Sequence, residues 1–321
     1  MKKSTKIWLI VATILSLAGL LMFAVTMAAG GWDFSRLNSV KFVSNTHYIT
    51  EEFTNISIDT DTADVILVRS ENNECKVVLR EALNEKHTVT VEDGTLKISI
   101  KDNRKWYEHI TFFSFSLPKI TIYLPENVYG ALTVKQDTGD ITLPSAFTFE
   151  SVDLSGSTGD ARLNSTVTGP VRIERSTGDI EVQSAKVGAL ALITSTGDVD
   201  VASTDCEGKI YVSVSTGEVE MEDVKCETFT STGSTGEITL ENVDVSGQIN
   251  ITRSTGDVKF ERSDAAEIYV ITDTGDVRGN LKTSKIFFTE SDTGDVNVPR
   301  STEGGICDIK TDTGDIKITI K

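Results

Sequence analysis

Ten carboxylates follow one another at near-constant spacing from residue 140 to residue 315 of this 321-residue chain: Asp140, Asp160, Asp179, Asp198, Glu218, Glu237, Asp257, Asp276, Asp295 and Asp315. Each closes a Ser/Asp-Thr-Gly-Asp/Glu motif. If the units that carry them stack in register, the acids form a single row, and like charges in facing positions destabilise a sheet. Backbone N–H groups and water can absorb that charge, and so can cations. Calcium takes several oxygens at about 2.3–2.6 Å, and Asp273, Asp292 and Asp312 stand close enough in sequence to add to the row. The units lack the glycine-rich nonapeptide of calcium-binding β-rolls. The expectation is therefore weak calcium binding at most, with no dedicated metal site and no cofactor.

Other chemistry is thinner. The threonines from Thr138 to Thr313 form a second row, but one flanked threonine per unit is a poor ice-binding array. Paired carboxylates could move protons. Yet no long insertions separate the motifs to build a cleft, and active sites favour such loops. No catalytic residue is assigned, and an enzyme acting on polysaccharide is the remoter alternative. His47, His87 and His109 are scattered, and no C-x-x-C pair exists among Cys75, Cys206, Cys226 and Cys307. Cys206 lies nine residues after Gly197 and Cys226 nine after Gly217, so they hold one position in consecutive units. Strand spacing would bring their Cα atoms to about 5 Å, inside the disulfide range of roughly 4.4–6.8 Å. A disulfide and a pair of buried free thiols both remain open, while Cys75 and Cys307 should stay unpaired.

The elements that position these side chains follow from the glycines: Gly139, Gly159, Gly178, Gly197, Gly217, Gly236, Gly256, Gly275, Gly294 and Gly314, at steps of 19 or 20 residues. Apolar residues sit two and four after each glycine (Ile141 and Leu143, Val219 and Met221) and seven and five before it (Leu132 and Val134, Ile268 and Val270). That is the strand period of two. Each unit holds two short strands joined by the Thr-Gly turn, and is too short to bury its own apolar side. The spacing predicts an all-β, parallel β-solenoid (a single-stranded β-helix) of about ten 19–20-residue coils, roughly 45–50 Å long. A propeller would need pairs of units per blade. Glycine at the third position of a type II turn accounts for the motif by turn chemistry alone. Ser231 and Gly279 stand where apolar residues are expected.

Residues 131–321 carry the regular repeat, and 47–130 read as degenerate first coils and an N-terminal cap. Asp61-Thr62-Ala63-Asp64 sits where a turn belongs, and Thr88 to Ile100 reads as a hairpin about Asp93-Gly94. Trp106 to Phe115 is aromatic and suits cap packing. Ile316, Ile318 and Ile320 look like an uncapped final strand edge, guarded by Lys317 and Lys321.

Ahead of the repeat, residues 1–6 carry Lys2, Lys3 and Lys6, residues 7–31 carry no charge, and 32–46 read as a linker. The apolar run is long enough to span a bilayer as a transmembrane signal anchor. The lysines would keep the N-terminus cytoplasmic and place the remainder outside the cell. A cleaved signal peptide, cut near Ala28 and Ala29, is the competing reading. The formal net charge of −17 excludes a nucleic-acid partner, which would need a basic stripe.

The Ser/Asp-Thr-Gly-Asp-Ile/Val turns, the Thr121-Ile122-Tyr123-Leu124-Pro125 run before them and the short N-terminal anchor resemble a bacterial family of candidate adhesins, β-strand-repeat domains of unknown function found in Gram-positive envelopes. The resemblance covers most of residues 45–321. It implies an exported solenoid at the cell envelope, acting in adhesion or as an interaction or structural module, with an unknown protein or envelope polymer as partner. A tethered component of envelope-stress sensing is the alternative. It carries over no catalytic residue.

Overall fold

The computed structural model describes residues 3–29, 42–82, 85–102 and 118–321. His109, the aromatic stretch 106–115 and the start of the linker lie outside them. Lys3–Ala29 is one helix, and its segment Trp8–Ala29 has a mean hydropathy of 2.4, long and apolar enough to cross a membrane. Nearly everything else is strand.

Each coil contributes a long strand before the Thr-Gly turn and a short strand after it. The long strands (Val128–Thr138, Thr148–Thr158, Thr166–Thr177 and their successors) stack in parallel into one sheet, and the short ones (Ile141–Leu143, Ala161–Leu163, Ile180–Gln183 and onward) into a second. The turn threonines hold one register: Thr158 pairs with Thr138 on one side and Thr177 on the other. The apolar positions of the repeat all turn inward. Leu132, Val152, Val171, Leu190, Ile210, Phe229, Ile249 and Ile268 form one buried column, and Ile141, Ala161, Ile180 and Val199 another. One continuous core results, and no coil could build it alone.

The chain turns a second corner six residues past the motif glycine. There Ser184, Ser203, Asp223, Asn242 and Arg262 take left-handed φ values between 49° and 54°. Short polar side chains tolerate that conformation best. Four of the five are Ser, Asp or Asn, a signal present in the sequence beside the stronger glycine motif.

In the stretch 47–130, read from the sequence as degenerate first coils and an N-terminal cap, the repeat gives way to a different pairing. Among the described residues one true coil lies there, Asn55–Thr62 and Asp64–Arg69, with Ala63 at its turn and Thr62 paired to Thr138. Beyond it each sheet ends in antiparallel pairs. Thr95–Asp102 lies parallel to the coil and carries Glu85–Glu92 as a hairpin partner. On the other sheet Lys119–Leu124 carries Cys75–Ala82, and Phe42–Ile49 closes the edge. That last strand starts inside the stretch 32–46 that reads as linker. Switching to antiparallel pairing ends the parallel ladder without leaving a coil edge open to another coil.

At the other end the stacking order differs from the chain order. Thr274 pairs with Thr313, and Thr313 pairs on its far side with Thr293; Val277, Ile316 and Val296 repeat the pattern on the second sheet. The Gly314 coil therefore lies between the Gly275 and Gly294 coils. The edge guarded by Lys317 and Lys321 in the sequence reading is an interior strand, and the outermost coil is Lys285–Thr293 with Val296–Asn297. The composition of the two coils explains the exchange. The interior coil turns Cys307, Ile309, Ile316 and Ile318 inward, all at most 2% exposed, whereas the outer coil carries the hydroxyl of Thr289 opposite Ile309 and the smaller Val296 opposite Ile316. A fully buried isoleucine contributes about 1.5–3 kcal/mol, and burying an unpaired hydroxyl costs a similar amount. The apolar coil gains more from the interior slot. Lys285 secures the jump: its Nζ, almost wholly buried, sits 2.6 Å from Asp264 Oδ1.

Cysteine cross-linking tests this order. In Thr274→Cys/Thr313→Cys, oxidation should give a disulfide-linked peptide pair in mapping, and in Thr274→Cys/Thr293→Cys it should not. The reverse pattern would restore sequential stacking.

Candidate functional site

The acid row is a hydrogen-bonded ladder that runs from coil to coil. The carboxylate Oδ1 of one coil accepts the backbone N–H of the acid in the next: Asp160 N–H to Asp140 (2.9 Å), Asp179 to Asp160 (3.1 Å), Asp198 to Asp179 (2.9 Å) and Glu218 to Asp198 (2.8 Å). It begins at Asp64, which takes the Asp140 N–H at 3.1 Å, and it follows the exchanged order at the far end, Asp315 to Asp276 and Asp295 to Asp315, both 2.9 Å. The neighbouring coil, rather than the acid's own turn, supplies the donor. Glu237 instead turns to Lys259 and to the Thr239 hydroxyl. The Asp295 N–H and then Lys317 hold the Asp315 carboxyl below the usual range.

The glycines serve the same approach. Their φ values run from 119° to 157°, beyond the value of about 80° for the third residue of a type II turn. A Cβ on Gly197 would overlap the Gly178 carbonyl, so clearance between coils, in addition to backbone conformation, demands glycine.

Two buried guanidinium groups lie just inside this corner. Arg175 and Arg253 are each 1% exposed and occupy the space that Gly156 and Gly233 leave in the preceding coil. Arg253 donates to Val214 O (3.1 Å) and to Ser231 Oγ (3.2 Å), which explains the polar residue at position 231. Burial brings both guanidinium groups down to about 10, with Asp140 and Asp160 opposing the shift at Arg175.

The outer face of the short-strand sheet is acidic. Glu181, Asp200 and Glu220 stand in register across three coils. Arg162 bridges Asp160 (3.0 Å) and Glu181 (3.1 Å) at one flank, and Arg278 bridges Asp257 (2.7 Å) and Asp276 (3.1 Å) at the other. Among the described residues no ion pair reaches Asp200. Asp200 is exposed, but the neighbouring coils crowd its carboxyl, and that desolvation, then the charges of Glu220, Asp198, Glu181 and Asp179, push it up.

Cys206 and Cys226 follow directly on the paired residues Asp205 and Lys225, in one column between Val187 and Val245. Both are free and buried, as is Cys307 in the core column above Ile268. Burial raises the Cys206 thiol and pushes Cys226 up to about 12, which leaves little reactive thiolate.

The N-terminal cap assembles a cluster that is invisible in the sequence. His87 Nε2 lies 2.8 Å from Thr60 Oγ1 and its Nδ1 3.1 Å from Glu81 Oε2; Asn45 donates to Glu81 Oε1 at 2.7 Å. A hydroxyl, an imidazole and a carboxylate in this order form an acyl-transfer relay when the hydroxyl is open to substrate. Here Thr60 is 3% exposed and faces the stack, so the trio works as a polar plug at the end of the core. Antiparallel pairing in the cap brings these four positions together. The one hint in sequence is that His87 shares the inward alternation of Val89 and Val91.

A family model described as Toastrack DUF4097 matches residues 53–210 and 205–321. No curated protein matches the chain. Among solved structures, a candidate adhesin from Bacteroides fragilis is 15% identical, covering 87% of this chain and 97% of its own at a TM-score of 0.41. A candidate adhesin from Parabacteroides distasonis is 12% identical, covering 88% and 98% at 0.39. A candidate lipid-binding protein from the same species is 14% identical, covering 86% and 97% at 0.35.

Two outcomes follow from this geometry. An acid raised in the folded state costs stability where it is charged, and the cost disappears once it is protonated in both states. Asp200→Asn should therefore raise the melting temperature at pH 7, with the gain fading as pH falls through the carboxylate range; an unchanged or lowered melting temperature at pH 7 would count against the crowded-acid reading. Most ladder acids already use one oxygen on a backbone N–H. Calorimetric titration with calcium should accordingly show weak binding only, and several tight sites with a steep rise in melting temperature would contradict the ladder as the main sink for this charge.

Proposed function

The chain belongs to the Toastrack DUF4097 family, and on that footing we propose that it is a membrane-anchored, extracytoplasmic interaction module that presents a rigid β-solenoid at the cell envelope. The observation that carries the reading is the joining of one apolar helix, exposed along nearly all its length, to a solenoid that buries most of its apolar side chains by stacking. The helix serves as the single-pass anchor and the solenoid stands outside the membrane. The solenoid offers sheet outer faces, and the concavities lined by its described residues include open grooves at the ends and corners, which suits adhesion or scaffolding better than turnover of a small substrate. The acidic surface keeps such rods soluble and apart from one another.

Protease added to intact cells tests the placement. The coils after residue 42 should be cleaved or shed while the N-terminal lysines stay protected, and protection of the coils until lysis would defeat export. The interaction reading is tested with the full chain in detergent micelles, which should retain at least one component of a solubilised envelope fraction. Retention of none, from cells expressing the protein, would count against it.

A further inference from the structure

The outer face of the long-strand sheet differs in chemistry from the acidic face opposite. One outward column runs Tyr211, Thr230, Asn250, Tyr269, Asp308 and Phe288 across six consecutive coils of the stack. Its first three members and Tyr269 are uncharged. Tyr211 is 39% and Phe288 55% exposed, so ring surface is on offer at both ends of the row. The column is straight because the coils are parallel and in register, and it spans five strand spacings, about 24 Å.

We propose that this column binds an uncharged, extended β-1,4-linked glycan lying along the solenoid axis, a proposal that rests on the interaction reading above and names its partner. Three observations converge on that ligand. Tyr269 and Phe288 are neighbours in the column but for Asp308, two strand spacings or roughly 9.5 Å apart, which is close to the two-sugar repeat of an extended β-1,4 chain. Rings at that interval meet the same apolar C–H face of every second sugar. Between them stands the half-buried Asp308, whose carboxylate is an acceptor for a sugar hydroxyl on this face. Thr230 and Asn250 continue the row with hydroxyl and amide groups able to donate and accept.

Charge selects among polymers. A protein of net charge −17 repels polyanions. The acid-rich opposite face, where Glu181, Asp200 and Glu220 stand in register, is the better seat for cations. The middle of this column, uncharged over three coils, suits a neutral chain. The exchanged coil order is essential to the spacing. In sequential stacking Phe288 would lie directly beside Tyr269, and Asp308 would fall outside the pair.

The test is calorimetric titration of the full chain, in detergent micelles, with cellohexaose and with chitohexaose. At least one should bind. Tyr269→Ala and Phe288→Ala should each weaken binding by about tenfold, the scale of removing one central aromatic contact, while Glu220→Gln on the opposite face leaves it unchanged. Thermal melts establish folding. Should Tyr269→Ala not melt cooperatively, Phe288→Ala and Tyr211→Ala carry the test, both being exposed. Binding of neither hexasaccharide overturns the glycan. Binding indifferent to these aromatics, or abolished by Glu220→Gln, overturns the placement. If neither sugar binds but the chain still retains an envelope component, the interaction reading survives without the glycan. If nothing is retained either, both fall.

Discussion

Once per coil two backbones meet so closely that no side chain fits between them. The carbonyl of one turn glycine points at the Cα of the next, and a Cβ there would overlap it. Everything else in the solenoid is arranged around that approach. It fixes the register, because a slip of one residue would put threonine or aspartate in the glycine's place. It also brings most of the acids' N–H groups, those of Glu237 and Asp257 excepted, within reach of the preceding carboxylate, so one contact yields both the stacking distance and the ladder. The exception supports the rule. Ala63 stands in the glycine position of the first coil, where no Thr-Gly turn lies behind it among the described residues, and there a Cβ is tolerated at 0% exposure.

The ladder changes the meaning of an acidic row. Ten like charges about 4.8 Å apart would be a serious burden if they were bare. Each N–H bond lowers the cost of the charge it meets, and the salt bridges of Arg162 and Arg278 neutralise the flanks. What remains unrelieved is local, at Asp200, whose neighbours on its own face are acids. The buried guanidinium groups belong to the same scheme from inside. Arg175 sits beneath Asp140 and Asp160, and it fits only because the coil before it gives up a side chain at Gly156.

Much of this was legible in the sequence, for a physical reason. A 19–20-residue repeat with period-two apolar flanks has few ways to bury its apolar side, and the glycines mark the corner without ambiguity. The parallel register and the acid row follow at once. The second corner was legible in principle from Ser184, Ser203, Asp223 and Asn242, but left-handed polar residues are a weaker signal than glycine. The donor to each acid was not legible, because local turn chemistry and coil-to-coil bonding use the same residues. Nor was the Thr60–His87–Glu81 cluster, since antiparallel pairing in the cap joins positions that the repeat does not relate.

The exchanged coils show where a repeat stops determining its own fold. Every coil carries the same turn, so the turn chemistry accepts the Gly294 or the Gly314 coil equally well as the next neighbour of Gly275. The choice passes to the inward residues, and there the two coils differ: four well-buried positions against a set that includes Thr289 and the smaller Val296. The coil less able to tolerate burial takes the solvent end and serves as the cap that the repeat lacks. A repeat thus dictates that coils stack, while the departures from it dictate their order, and the order sets which side chains share a face. Tyr269, Asp308 and Phe288 stand in one line on the outer surface because Thr289 stands at the end of the core.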